Sequence, residues 1–187
     1  MPGAVFLACV ATQGLAVLAG TLAPAYGAWL ARAGFALFCL GVLLYLVALH
    51  HFALRQVVTG GGDQWVAGGA AAISALAGSK LLTSPVWTGG APTALRAAMP
   101  ALLALAFAWY FVLAAAELAR PRPHYDIRRR STVFPLGMVA VVSLTSASAT
   151  GIHQIATAGR AFLWIAVLAW LLTLAGLLRQ IRRGADG

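Results

Sequence analysis

The chain has 187 residues, 61% of them hydrophobic and 9% charged. A soluble domain carries about half apolar and a quarter charged residues, so an ordinary soluble fold is excluded. The surplus of thirteen Lys and Arg over four Asp and Glu gives a net charge of +9; in a chain this apolar it reads as Arg gathered in membrane-flanking loops, with no nucleic-acid surface.

Apolar runs recur at close to the roughly 20 residues that one bilayer crossing needs, and six spans follow in chain order. The first runs from about Val5 to Leu22 and stops at the breaker Ala23-Pro24-Ala25-Tyr26-Gly27. Small residues there imitate a signal-peptide cleavage site, but no basic segment precedes the run and five further spans follow it. The second span covers about Ala31 to Leu49, and a loop with Gly60-Gly61-Gly62 leads to the third, Trp65 to about Leu82. Pro85, Gly89-Gly90 and Pro92 break the chain before the fourth, about Ala97 to Leu118, which the tract Arg120-Pro121-Arg122-Pro123 ends. The fifth covers about Val133 to Thr150 and the sixth about Ala161 to Leu178. Short links make neighbours antiparallel. The expected fold is an all-α membrane protein of three helical hairpins, a single transmembrane domain over residues 1–187.

With six crossings, one side of the membrane holds Arg55, Arg120, Arg122, Arg128, Arg129, Arg130, Arg179, Arg182 and Arg183, and the other holds Arg32, Lys80, Arg96 and Arg160. Nine against four places both termini in the cytoplasm.

The spans are of two kinds. The second, fourth and sixth are dominated by Leu, Phe, Trp and Val, which suit lipid. The first, third and fifth are rich in Gly, Ala, Ser and Thr, which let helices approach closely or leave room for a cavity. Thr12, Gln13, Gly14, Gly68, Gly69, Ser74, Ser143 and Thr145 belong to these inner spans. Each hydroxyl could equally satisfy a carbonyl of its own helix; the segregation into alternate spans favours a lined cavity. No carboxylate, Lys or Arg occupies the middle of an inner span, which argues against a proton relay or metal-ion coupling site. Hydroxyls, amides and backbone N–H groups remain, and these solvate anions. Pro135 and Gly137 near the start of the fifth span either open that helix or break it, and its N-terminal amides are candidates for facing an anion.

Three strings resemble the tellurite-resistance/dicarboxylate transporter family, which includes bacterial homologues of the plant guard-cell slow anion channels. Ser131-Thr132-Val133-Phe134-Pro135-Leu136-Gly137-Met138 resembles the stretch that opens the family's ninth helix; residues 10–19, with Thr12-Gln13, resemble its fifth; residues 65–78, from Trp65-Val66-Ala67-Gly68-Gly69, resemble its seventh. The resemblance implies that the six spans correspond to helices five to ten of a ten-helix fold, whose five hairpins surround a pore lined by the odd-numbered helices. It also implies that Phe134 is the pore plug and that small anions, inorganic or C4-dicarboxylate, are the cargo. The alternative role for Phe134 is an interfacial aromatic. Lys80 and Arg96, near the outer ends of the third and fourth spans, are candidates for an anion-attracting vestibule, or for snorkelling to the interface.

The family's first two hairpins have no counterpart in the sequence, and three hairpins cannot close a five-hairpin ring. Two readings follow. One is anion transport, with the missing walls supplied by a homo-oligomer or by hairpins in trans; the other is a non-transporting remnant or half-transporter. The membrane expected is a bacterial-type plasma membrane.

No catalytic constellation is present, and neither a cofactor nor a metal site is expected. Cys9 and Cys39 lie in apolar runs without ligand spacing, and His50, His51, His124 and His153 are scattered. Glu117 and Arg120 suit a local ion pair, and Arg128-Arg129-Arg130 suits loop charge or lipid headgroups.

Overall fold

A computed structural model of the chain describes residues 3–59, 62–83, 90–119, 130–150 and 153–185. A 3-10 turn, Gly3–Phe6, leads into α1 (Leu7–Tyr26), followed by α2 (Ala28–His51), the single turn α3 (Gln56–Thr59), α4 (Trp65–Leu82), α5 (Ala91–Ala119), α6 (Arg130–Thr150) and α7 (His153–Ala185). All regular structure among the described residues is helical. The break at Pro85 and Gly89, the tract Arg120–Pro123, His124, Arg128 and Arg129 lie outside them.

Among the described residues, five helices are long and apolar enough to cross a membrane: α1 with its leading turn, α2, α4, α5 and α7. The chain is therefore an all-α membrane protein. The fifth expected span differs, because the apolar stretch described in α6, Thr132–Ser148, is shorter. Ser143, Thr145, Ser146 and Ser148 dilute its hydropathy.

Proline proves a weaker stop than the sequence reading assumed. Pro24, Pro100 and Pro135 all lie inside helices. Pro24 lies in the last turn of α1 and removes one backbone hydrogen bond there, yet the helix continues to Tyr26. Gly27 ends it: at φ +106° the chain enters a region open chiefly to glycine, and this one residue joins α1 to α2. The Gly27 N–H donates to the Ala23 carbonyl at 2.9 Å. At the other extreme, α7 begins at His153 rather than near 161 and extends beyond 178 to Ala185.

Each long helix packs most closely on its sequence partner, α1 on α2, α4 on α5 and α6 on α7, giving three hairpins. Between hairpins, α1 and α6 both pack on α4, so these three form a row with α4 in the middle. Burial follows composition: 89% of α4 is buried against 33% of the first span and 6% of the α7 window. The contrast between α1 and α2, 33% against 28%, is slight.

Glycines explain how α4 can be surrounded. A Cβ at Gly68 would stand 3.1 Å from Trp109 Cβ of α5, and one at Gly20 of α1 would stand 3.0 Å from the Leu81 amide nitrogen of α4. Gly78 faces Met99 of α5 and Phe38 of α2. Small residues thus bring helix backbones close, where dispersion and packing hold helices together without help from water.

One end of the bundle is closed by aromatic rings. Phe6 is fully buried, with ring centroids 5.2 Å from Tyr45 and 5.5 Å from Phe52, and Phe52 stands 5.9 Å from Trp109. The Gly3 N–H donates to the Asp63 carboxylate at 3.1 Å, tying the leading turn to the entry of α4.

Candidate functional site

Of the expected site residues, Gly69, Phe134 and Pro135 come together, at the crossing of α4 and α6. A Cβ at Gly69 would stand 3.1 Å from Phe134 Cδ1 and Cε1 and 3.1 Å from Pro135 Cγ. A side chain there would require the rings to give by a few tenths of an ångström. Pro135 is buried, whereas Phe134 is 41% exposed, so its ring is held on one side only.

Pro135 neither starts α6 nor breaks it. It is the sixth residue of that helix, and its ring removes one backbone hydrogen bond within the first two turns. Two residues on, Gly137 has no neighbouring heavy atom within 4 Å of where a Cβ would stand. Beside Pro135, a shallow apolar crevice lies between α4, α5 and α6, lined by Trp65, Gly68, Tyr110, Leu113 and Val139 among others. The Trp65 indole N–H is buried with no hydrogen-bond partner among the described residues.

The hydroxyls are committed within their own helices. Thr12 Oγ1 donates to the Ala8 carbonyl at 2.9 Å, Ser74 Oγ to Ala70 at 2.7 Å and Ser143 Oγ to Val139 at 2.7 Å. A hydroxyl so bonded presents lone pairs outward, and must rotate before it can donate to an anion. Ser74 also lies 3.9 Å from the Cys9 sulfur, joining α4 to α1.

Gln13 is fully buried and directed at α2. Its Nε2 donates to the Phe38 carbonyl at 3.2 Å, its amide presses on Gly41, and its Oε1 has no partner among the described residues. Lys80 is half-buried in the last turn of α4, and Arg96 is exposed near the start of α5. Among the described residues, no three His, Cys, Asp or Glu side chains gather as a metal site would require.

Residues 1–178 match the family model described as voltage-dependent anion channel. The chain belongs to the voltage-dependent anion channel family. Its members are channels and transporters rather than enzymes, and the membership agrees with the resemblance carried by residues 10–19, 65–78 and 131–138. No curated protein and no solved structure matches the chain.

In this channel-family chain, two polar features escaped the sequence reading. The Trp109 indole N–H donates to the Tyr45 hydroxyl at 2.8 Å, a buried bond between α5 and α2. Gln64, 1% exposed, accepts the Gly62 N–H at 2.9 Å through Oε1 and shapes the entry to α4. Neither residue belongs to a spaced motif, so periodicity could not have singled them out.

Proposed function

We propose that the chain carries small anions across a membrane along a path bordered by α1, α4 and α6, and that Phe134 closes that path. Family membership supports the transport of anions in general. The seat of Phe134 on Gly69 carries the finer reading: a ring held on one face, beside a helix of small residues, can leave without disturbing the buried core. Pro135 and Gly137 make the first turns of α6 the part of that helix most easily bent, so the ring can move with them.

In this reading, Thr12, Ser74 and Ser143 turn their hydroxyls to the anion when α4 and α6 part, and Lys80 and Arg96 raise the anion concentration at the mouth. Gln13 braces α1 on α2 at the edge of the path. Hydroxyls and amides select charge sign and size weakly, which suits chloride, nitrate, sulfite or a C4-dicarboxylate. Any effect on tellurite would follow indirectly from transport. The row α1–α4–α6 is a wall rather than a ring, and further hairpins, from the same protein or from a second copy, close the path. The whole forms one transmembrane domain in a bacterial-type plasma membrane, with both ends of the chain in the cytoplasm.

The test is anion uptake into liposomes holding the purified protein, with chloride, nitrate and malate offered separately. Uptake above that of empty liposomes, for anions and not for potassium, is expected. Tight liposomes with inserted, folded protein and no uptake would overturn the proposal.

A further inference from the structure

The longest helix, α7, is also the most exposed, with 6% of its apolar window buried. Between Arg160 and Arg179 it carries no charge. At 1.5 Å per residue those nineteen steps rise about 28 Å, against a hydrocarbon core about 30 Å thick. The two arginines therefore bracket the apolar layer. Arg182 and the backbone position of Arg183 follow within about one further turn, or roughly 5 Å, at the depth of headgroup phosphates.

The face matters as much as the depth. Arg182 follows Trp164 by eighteen residues, five full turns of an α-helix, and so stands on the same side of α7. That side is the exposed one: Trp164 is 72%, Leu168 58% and Leu172 65% exposed, and Arg179 and Arg182 are exposed too. Ala166, the buried contact of α7 with the bundle, lies on the opposite side.

We infer that Arg179 and Arg182 bind the phosphate-bearing headgroup of anionic phospholipid, on the lipid-facing side of α7 where it leaves the hydrocarbon core. The ligand is a lipid and not a transported anion, because the arginines continue the apolar stripe of Trp164 and Leu168 and turn away from α4 and α6. A guanidinium forks onto two phosphate oxygens, and an acyl chain can lie along the stripe below.

The experiment uses the protein in phosphatidylcholine vesicles containing phosphatidylglycerol, with bromine on the acyl chains of one lipid or the other, and follows quenching of native tryptophan fluorescence. At low salt, brominated phosphatidylglycerol is expected to associate at least about fivefold more strongly than brominated phosphatidylcholine, the factor for each arginine near the surface. The preference should fall at high salt, persist in R179K/R182K and vanish in R179Q/R182Q, while quenching by phosphatidylcholine stays unchanged in every variant and reports intact insertion. Equal quenching by the two lipids in the wild type would overturn the inference. So would a preference that survives in R179Q/R182Q, or one that inorganic phosphate displaces, which would mark a site for free anions.

Discussion

The ring of Phe134 rests on the bare α-carbon of Gly69, with the Pro135 ring beside it: a methyl group on Gly69 would come within 3.1 Å of both. Three tenths of an ångström of yielding would relieve such a contact. Phe134, partly exposed, can yield; Pro135, part of the α6 backbone, yields less. Gly69→Ala is therefore expected to displace the Phe134 ring by a few tenths of an ångström and loosen its seat, at a stability cost of about 1 kcal/mol, the low end for overpacking. Anion uptake into liposomes should rise severalfold, whereas a Gly69→Ala protein with unchanged uptake and unchanged stability would detach the seat from the path.

Gln13 and Gly41 form a second fitted pair, between α1 and α2. Gly41→Ala is expected to destabilise by about 1–3 kcal/mol, because the new methyl meets the carboxamide in a packed interface. Gln13→Ala removes both the bond to Phe38 and the orphan Oε1, and in the double variant Gln13→Ala/Gly41→Ala the cost of Gly41→Ala should largely disappear. Thermal unfolding in detergent of the two single variants and the double variant measures the coupling.

The Trp109–Tyr45 bond joins the first two hairpins away from the inner row. Tyr45→Phe leaves a buried indole N–H unpaired, and a loss of about 0.6–1.7 kcal/mol is expected, the range found for polar contacts between membrane helices. Tyr45→Phe/Trp109→Phe should cost less than the two single substitutions added together, since the orphan donor goes too. Unfolding of the three variants in detergent checks this.

The proposed membrane sidedness rests on the arginine count. After replacement of Cys9 and Cys39, single cysteines at Arg55, Asp126 and Asp186 are expected to label from the cytoplasmic side, and one at Gly90 from the opposite side. Labelling of Asp186 opposite to Arg55 would mean that α6 does not cross, the point at which its shorter apolar stretch bears on topology.

The sequence made the central helix legible because composition decides which helix can be surrounded: among the described helices α4, built largely of Gly, Ala and Ser, is buried almost throughout. Direction about the helix axis was not legible. In a membrane both faces of a helix are apolar, so the periodicity that orients a helix in water is nearly absent, and nothing in the order of residues said that Gln13 turns to the Phe38 carbonyl. Helix ends were misread for a related reason. Pro24 and Pro135 look like stops, yet each lies inside a helix that continues past it with one backbone bond missing. The meeting of Phe134 with Gly69 combined both kinds of information, since the motif named each residue and only the packing of α6 on α4 joined them.

The most direct measurement of the central claim is chloride and nitrate uptake by liposomes holding wild-type protein or Phe134→Ala at equal amounts. Removing a ring that closes the path should raise uptake by about tenfold, equivalent to roughly 1.4 kcal/mol of barrier, with selectivity for anions retained. Equal uptake by the two proteins, both inserted and folded, would contradict a gate at Phe134.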